Sequence, residues 1–424
     1  MNPAAAGEND RVIGDDDARR AVELFAGLLR RTHLSNPSDI AAVLADEFAS
    51  VGVEDAAFYL ADYEQVHLVP IPVAGRPERP APPIDASLAG RAYTTTSAVT
   101  AAADDPGRRR VWLPLLDGTD RFGVVEVTVP APGGEVTPAL LALCERYAHL
   151  AALVIATKSL YGDVFERVRR SRPMSIAGEL QWKLVPPSTY STERLVISAF
   201  MEPCYDVGGD SYDYAVNGEV AHLAVFDAMG HGLGAAGLAA FAVSAYRHSR
   251  RTGQDLPQTY AAINAAVGEN FGGGEGYVTG LLGQLHLGTG RFRWISAGHP
   301  APLLLRGGRL VKTLEAAPAT PLGLPFITSE AAVAEESLEP GDRLLLFTDG
   351  LPEARLPDGE FFGTERLGEF IEREAAAGRS APETLRRLRR SILAHQHGQL
   401  QDDATGVLVE WNRGSEFDLL PQTV

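Results

Sequence analysis

Four short acidic motifs in the C-terminal half hold the residues best suited to chemistry. They are Asp206-Val207-Gly208-Gly209-Asp210-Ser211-Tyr212-Asp213, Asp227-Ala228-Met229-Gly230-His231-Gly232, Thr348-Asp349-Gly350 and Asp402-Asp403-Ala404-Thr405. Asp227 follows the apolar run Leu223-Ala224-Val225-Phe226, and Asp349 lies just beyond Leu344-Leu345-Leu346-Phe347. Both runs read as strands. Carboxylates at the ends of strands far apart in sequence can converge on one spot. Gathered there, they repel one another unless hard cations neutralise them. An all-oxygen, cysteine-free donor set suits Mg²⁺ or Mn²⁺ better than zinc and points to phosphoryl chemistry.

Composition narrows the classes of partner. A chain of 424 residues predicts two or three domains, each able to bury a core. Its formal net charge of −17 argues against nucleic acid, whose phosphates need clustered Lys and Arg. The two cysteines, Cys144 and Cys204, are too few for a disulfide framework and read as small buried apolar residues. Met1 to Asp17 is polar and acidic, unlike a secretory leader. The most hydrophobic stretch, Leu140 to Ile155, is broken by Glu145, Arg146 and His149 and reads as a protein-contact helix. A cytoplasmic protein with no membrane partner is expected.

The N-terminal part alternates helix and strand signals. Residues 1–17 read as a disordered tail. Ala18 to Arg31 reads as an amphipathic helix with Val22, Phe25, Leu28 and Leu29 on one face, and Ser38 as the cap of a second helix reaching Phe48. Strands are expected at Ala56–Leu60, Val66–Ile71, Val111–Leu115 and Gly123–Val129, with a helix at Ser87–Tyr93 between them. This element order, with Leu88-Ala89-Gly90-Arg91-Ala92 ahead of the later strands, resembles a GAF domain, a small-ligand sensor fold, over residues 18–142. Residues 143–180 are expected to form a linker helix. Within it Leu143, Tyr147, Leu150, Val154, Tyr161, Val164 and Val168 alternate in steps of four and three once Thr157 fills the gap, as in a coiled-coil seam. Pairing along that seam makes a parallel homodimer.

From Gln181 the texture changes to strands, Gly-rich turns and the acidic motifs. In order come Gln181-Trp182-Lys183-Leu184-Val185-Pro186, the two aspartate motifs, Tyr277-Val278-Thr279, Ala297-Gly298-His299-Pro300, Phe347 to Ala354, Phe362-Gly363 and Asp402-Asp403-Ala404-Thr405. The segment 181–412 thereby resembles the metal-dependent serine/threonine phosphatases of the SpoIIE and RsbU type, relatives of eukaryotic PP2C. The resemblance implies an α+β chain whose C-terminal domain is an αββα sandwich of two antiparallel sheets, followed by a tail at 413–424.

It also implies a binuclear Mn²⁺ or Mg²⁺ centre whose activated water attacks phosphorus. Asp210, Asp227 and Asp349 would serve catalysis through that water. Asp227 would bridge the ions, the Ala228 carbonyl would be a further ligand, and Asp402 would complete the set with Asp403 as its alternative. Gly208, Gly209, Gly230 and Gly232 fit positions of close backbone approach or positive φ. Asp206 and Asp213 read as capping or supporting residues. His231 lies four residues after Asp227, not two as in eukaryotic relatives, so no acid role is carried over; it and His299 read as turn or supporting residues. Val207-Gly208-Gly209-Asp210 is no P-loop, because no Gly-Lys-Ser/Thr follows.

The expected function is dephosphorylation of a protein on Ser or Thr. The family's typical partner is a STAS-domain anti-anti-sigma factor, with the N-terminal module as regulator. The alternatives are a catalytically silent partner-switching scaffold and a hydrolase of small phosphorylated metabolites.

Overall fold

The structure, a computed structural model, describes residues 15–206, 208–271, 276–324, 331–356, 359–395 and 402–411. The chain divides into two compact units between Ser171 and Arg172. The tail expected at 413–424 and most of that at 1–17 lie outside the described residues, although helix already begins at Asp15.

The N-terminal unit runs α1 (Asp15–His33), α2 (Ile40–Ala49), β1 (Asp55–Ala61), β2 (Leu68–Pro70), α3 (Leu88–Thr95), β3 (Val99–Ala102), β4 (Arg108–Asp117), β5 (Asp120–Pro130), α4 (Pro138–Lys158) and α5 (Val164–Val168). Its five strands form one antiparallel sheet in the order β2-β1-β5-β4-β3. Alternation along β1 separates the two faces. Phe58 and Leu60 join Leu44, Phe48, Tyr147, Ala151 and Ile155 in the core under α1, α2 and α4, whereas Tyr59 and Ala61 pack with Tyr93, Trp112 and the α3 alanines. Ser87 caps α3 by accepting from the Gly90 amide.

Three local expectations change here. On α1 the buried face carries Leu24 and Leu28, while Val22 and Leu29 are exposed. The reason is geometric: on a helix of 3.6 residues per turn Val22 and Leu29, seven apart, share one stripe to within about 20°, while Leu24 and Leu28 lie on a different side, so the face that buries the second pair leaves the first in solvent. Ser38 caps nothing; it sits in a single 3₁₀ turn, Pro37–Asp39, and α2 starts at Ile40. The seam helix stops at Lys158, followed by a 3₁₀ turn and extended Gly162. Within α4, Tyr147, Ala148, Ala151, Ala152 and Ile155 are buried in their own unit, and Tyr161 lies exposed. Pro138–Tyr161 is long and apolar enough to cross a membrane by length and composition, yet this face is spent on the sheet.

The C-terminal unit runs α6 (Ile176–Leu184), β6 (Thr189–Thr192), β7 (Leu195–Glu202), β8 (Asp210–Asn217), β9 (Val220–Ala228), α7 (Gly232–Arg251), α8 (Leu256–Phe271), β10 (Val278–His286), β11 (Arg291–Ala297), β12 (Leu303–Arg306), β13 (Arg309–Thr313), β14 (Ala334–Ser337), β15 (Arg343–Phe347), α9 (Gly363–Ala376), α10 (Ala381–His395) and β16 (Ala404–Trp411). Two antiparallel sheets result, β14-β11-β10-β9-β8 and β13-β12-β15-β16-β7-β6.

The period-2 alternation of side chains builds four layers. Leu223 and Val225 of β9 meet Ile197, Leu344, Leu346, Val407 and Val409 between the sheets. Ala224, Phe226 and Ala228 face the other way, onto α7 and α8. On the second sheet Val196, Phe200, Leu345 and Leu408 pack on α9 and α10. Helix, sheet, sheet and helix is the expected αββα sandwich.

Candidate metal centre

Asp210 opens β8 and Asp227 is the next-to-last residue of β9, and the two are directly paired in the antiparallel register. Asp210 shares the parity of Tyr212 and Tyr214, and Asp227 that of Val225. Both therefore point into the space between the sheets, at its end. From the other sheet, Phe347 ends β15 just before Thr348 and Asp349, and Ala404 starts β16 just after Asp402 and Asp403. The four motifs meet at one mouth of the sandwich.

Hydrogen bonds fix this mouth. The buried Thr348 hydroxyl donates to Asp210 Oδ2 at 2.7 Å and accepts from the Thr405 amide at 2.9 Å, joining three motifs. Asp403 Oδ2 accepts from the Gly208 amide at 2.7 Å and the Asp210 amide at 3.4 Å. Asp402 Oδ1 accepts from the Asp403 amide at 2.9 Å, and its side chain is exposed. A Cβ on Gly209 would stand 2.1 Å from the Ala228 carbonyl oxygen, and one on Gly350 would stand 1.8 Å from the Asp403 carbonyl oxygen. Both positions therefore admit only glycine. Gly230 and Gly232 take positive φ, at 95° and 75°, on the way into α7.

Electrostatics record the crowding. Burial, and then the charges of Asp227 and Asp403, push the Asp210 carboxyl well above its ordinary range. Burial with Asp349, Asp402 and Asp403 raises Asp227 to about 7. Asp349 is raised by burial, Glu353 and Asp402. Asp403 is raised to about 6 by burial, against the lowering effect of the amides it accepts from. Among the described residues no three acidic, histidine or cysteine side chains already close around a common point. The donors are hard oxygens held on strand ends with uncompensated negative charge, so they fit Mg²⁺ or Mn²⁺.

The two histidines separate. His231 is exposed at the start of α7 and makes no side-chain capping bond. His299 is buried, its Nδ1 lies 3.0 Å from the Thr279 hydroxyl, and burial lowers its pKa to about 3, so the ring is neutral. Thr279 pairs with Asp227 in the β9–β10 register. His299 thus sits, as a neutral ring, against the strand residue that pairs with Asp227. Thr348 joins the site beyond the aspartates that the motifs point to, and its sequence signal is slight: a threonine directly before Asp-Gly at a strand end. Cys144 and Cys204 are buried and unpaired with each other, as expected.

Residues 217–412 match the family model described as Stage II sporulation protein E (SpoIIE). The chain is 27% identical over 240 residues to phosphoserine phosphatase RsbU of Bacillus subtilis, covering 56% of this chain and 69% of RsbU. It is 24% identical over 266 residues to protein IcfG of Synechocystis, covering 55% of this chain and 40% of IcfG. Among solved structures, the RsbU and RsbW domains of Rv1364c from Mycobacterium tuberculosis align with a TM-score of 0.45 at 25% identity, over 54% of this chain and 63% of that one. The PP2C phosphatase domain of Bacillus subtilis SpoIIE aligns with a TM-score of 0.44 at 22% identity, over 52% and 65%. Residues 217–412 thus carry a SpoIIE-type, RsbU-like phosphatase domain, similar to metal-dependent protein phosphatases.

Proposed function

We propose that the C-terminal unit removes phosphate from serine or threonine of a partner protein, using two Mn²⁺ or Mg²⁺ ions. The observation that carries this reading is the meeting of Asp210, Asp227, Asp349, Asp402 and Asp403 at one mouth of the sandwich, with four of the five carboxyls raised by burial and mutual repulsion. When bound, the ion pair supplies an activated water and withdraws charge from the phosphoryl oxygens.

The chain's residues divide the remaining work. Asp210 and Asp227 hold the ions from the first sheet, and the Ala228 carbonyl assists. Asp349 and Asp402 hold them from the second. Asp402 is preferred to Asp403 because Asp403 spends an oxygen on the Gly208 and Asp210 amides and so braces the loop. Thr348 orients Asp210, and neutral His299 steadies Thr279 behind Asp227.

The similarity to a phosphoserine phosphatase supports a phosphoprotein substrate, and the family resemblance supports a STAS-domain anti-anti-sigma factor in the cytoplasm. The N-terminal unit, read as a GAF-like sensor, regulates the activity. Its exposed Val22, Leu29, Leu34 and Tyr161 support homodimer contact through α1 and the end of α4.

The test is hydrolysis of p-nitrophenyl phosphate and a phosphoserine peptide with Mn²⁺ or Mg²⁺, for wild type and Asp227→Asn. Metal-dependent turnover lost in the variant supports the reading. Absence of turnover in both the full chain and the 172–411 fragment, each folded, would leave the scaffold as the better account.

A further inference from the structure

A charged knot lies under α7, where Asp213 meets Arg247 and Arg250. Asp213 lies on β8 three residues beyond Asp210, on the opposite face, and its side chain is 1% exposed. Both of its oxygens are committed to α7. Arg247 donates to Oδ1 through Nε at 3.0 Å and Nη2 at 2.6 Å, and Arg250 donates to Oδ2 at 2.7 Å. The same Arg247 Nη2 reaches the Leu184 carbonyl at 2.7 Å, at the last residue of α6. On the other face of β8, the Tyr212 and Tyr214 hydroxyls donate to the Pro186 and Pro187 carbonyls at 3.0 and 2.7 Å. One strand is thereby bonded to the segment that leads into the domain and to the helix that follows the second aspartate motif.

The other end of α7 touches the metal centre. A Cβ on Gly208 would lie 3.3 Å from both His231 Cα and the Gly232 amide nitrogen, and 2.6 Å from Asp403 Oδ2. The start of α7, the loop before Asp210 and the Asp403 carboxylate therefore share one seat. The buried face of α7 alternates four alanines, Ala235, Ala236, Ala239 and Ala242, with Leu238, Val243 and Tyr246, so near the metal centre its apolar contacts are mostly small and the larger anchors stand further along the helix. A rigid guanidinium fork on a buried carboxylate fixes rotation and translation to within a hydrogen-bond length. A buried ion pair adds little net stability over an apolar pair, and setting register is its best-attested use.

We propose that Asp213, through Arg247, is a positioning residue of the metal centre. It sets where α7 begins and hence how Gly208, Asp210 and Asp403 are presented to the ions. This inference rests on the metal-centre reading above.

The test is Mn²⁺ binding to the full-length protein by calorimetry and by loss of the free-ion electron paramagnetic resonance signal, with melting temperatures recorded in parallel. Asp213→Asn is expected to weaken Mn²⁺ binding on the order of tenfold, the range seen for groups supporting metal ligands. Arg247→Lys keeps the charge but not the fork and is expected to fall between variant and wild type. Arg306→Gln breaks a comparable pair with Asp342 in the other sheet and is expected to bind Mn²⁺ like wild type. If Asp213→Asn does not fold, Arg247→Lys and Arg247→Gln carry the measurement. Variants that melt lower yet bind Mn²⁺ within about twofold of wild type, a margin well below the tenfold expected, would reduce the pair to a fold anchor. A wild type that takes up no Mn²⁺ would overturn the metal-centre reading itself, and this inference with it.

Discussion

Asp210 and Asp227 are directly opposed residues of the β8–β9 ladder, a buried and a half-buried carboxylate facing each other across one strand pair. Like charges directly opposite are destabilising in a sheet, so natural strands avoid the arrangement unless something else neutralises it. Here the ladder continues undisturbed through Asn217 and Val220, and the conflict is confined to the end where two further acidic motifs arrive.

This opposition makes metal-free stability depend on pH. The folded-state pKa values of Asp227 and Asp403 are raised, to about 7 and about 6. Groups raised in the folded state contribute stability that is fully present below the unfolded carboxylate range and is lost as pH rises through the folded values. The metal-free protein is therefore expected to lose stability between about pH 4 and pH 7 relative to Asp227→Asn. At pH 8 without metal the variant should be the more stable, by on the order of 1–3 kcal/mol. Chemical denaturation of both proteins in chelator across that range checks the sign.

Adding Mn²⁺ should reverse the order. Ligand that binds only the folded state contributes about 2.7 kcal/mol at a hundredfold excess over its dissociation constant. The wild type is expected to melt higher with rising Mn²⁺ and Asp227→Asn to respond far less. Thermal shift against Mn²⁺ concentration at fixed pH measures this.

Thr348→Val keeps shape and removes the hydroxyl that links Asp210 to the Thr405 amide. Leaving that buried amide without its acceptor costs about 1–3 kcal/mol. The variant should also need more Mn²⁺ for half-maximal hydrolysis, because Asp210 loses its orienting bond. Thr348→Ser, which restores the hydroxyl, should recover most of both. Denaturant unfolding and metal titration of activity separate the two effects.

Gly350→Ala places a Cβ against the Asp403 carbonyl, a backbone atom that cannot swing aside. The turn after β15 must move, and Asp349 with it. We expect a folded but destabilised protein, by several kcal/mol at most, that has lost metal-dependent turnover. Gly234→Ala is the control, since nothing lies within 4 Å of its added Cβ. Unchanged turnover in Gly350→Ala would contradict the close approach.

His299 is neutral because it is buried, so the pH profile of hydrolysis should show no limb from it near its ordinary pKa. His299→Asn is expected to lower turnover modestly without shifting the profile. A lost basic or acidic limb in that variant would assign the ring a proton-transfer role.

Much of this chain was readable from residue order alone. The apolar runs ending in Asp227 and preceding Asp349 form β9 and β15, because a run buried on both faces needs no partner to be recognised as a strand. The glycines of the aspartate motifs were legible for the same local reason, since close approach and positive φ leave few alternatives to Gly. Tertiary packing decided the rest. Asp402 and Asp403 are chemically identical neighbours, and only the arrival of the Gly208 and Asp210 amides turns one inward while the other stays exposed. His231 and His299 both sit beside glycines, and only the sandwich buries the second. The four-and-three spacing through Tyr161 suited a longer helix. It is interrupted at Gly162, and α4 spends its buried face on the sheet of its own unit. The sequence marks Asp213 only as a capping or supporting residue of its motif. Its pairing with Arg247, 34 residues away, is a long-range contact, and periodicity and propensity report only what a residue does with its near neighbours.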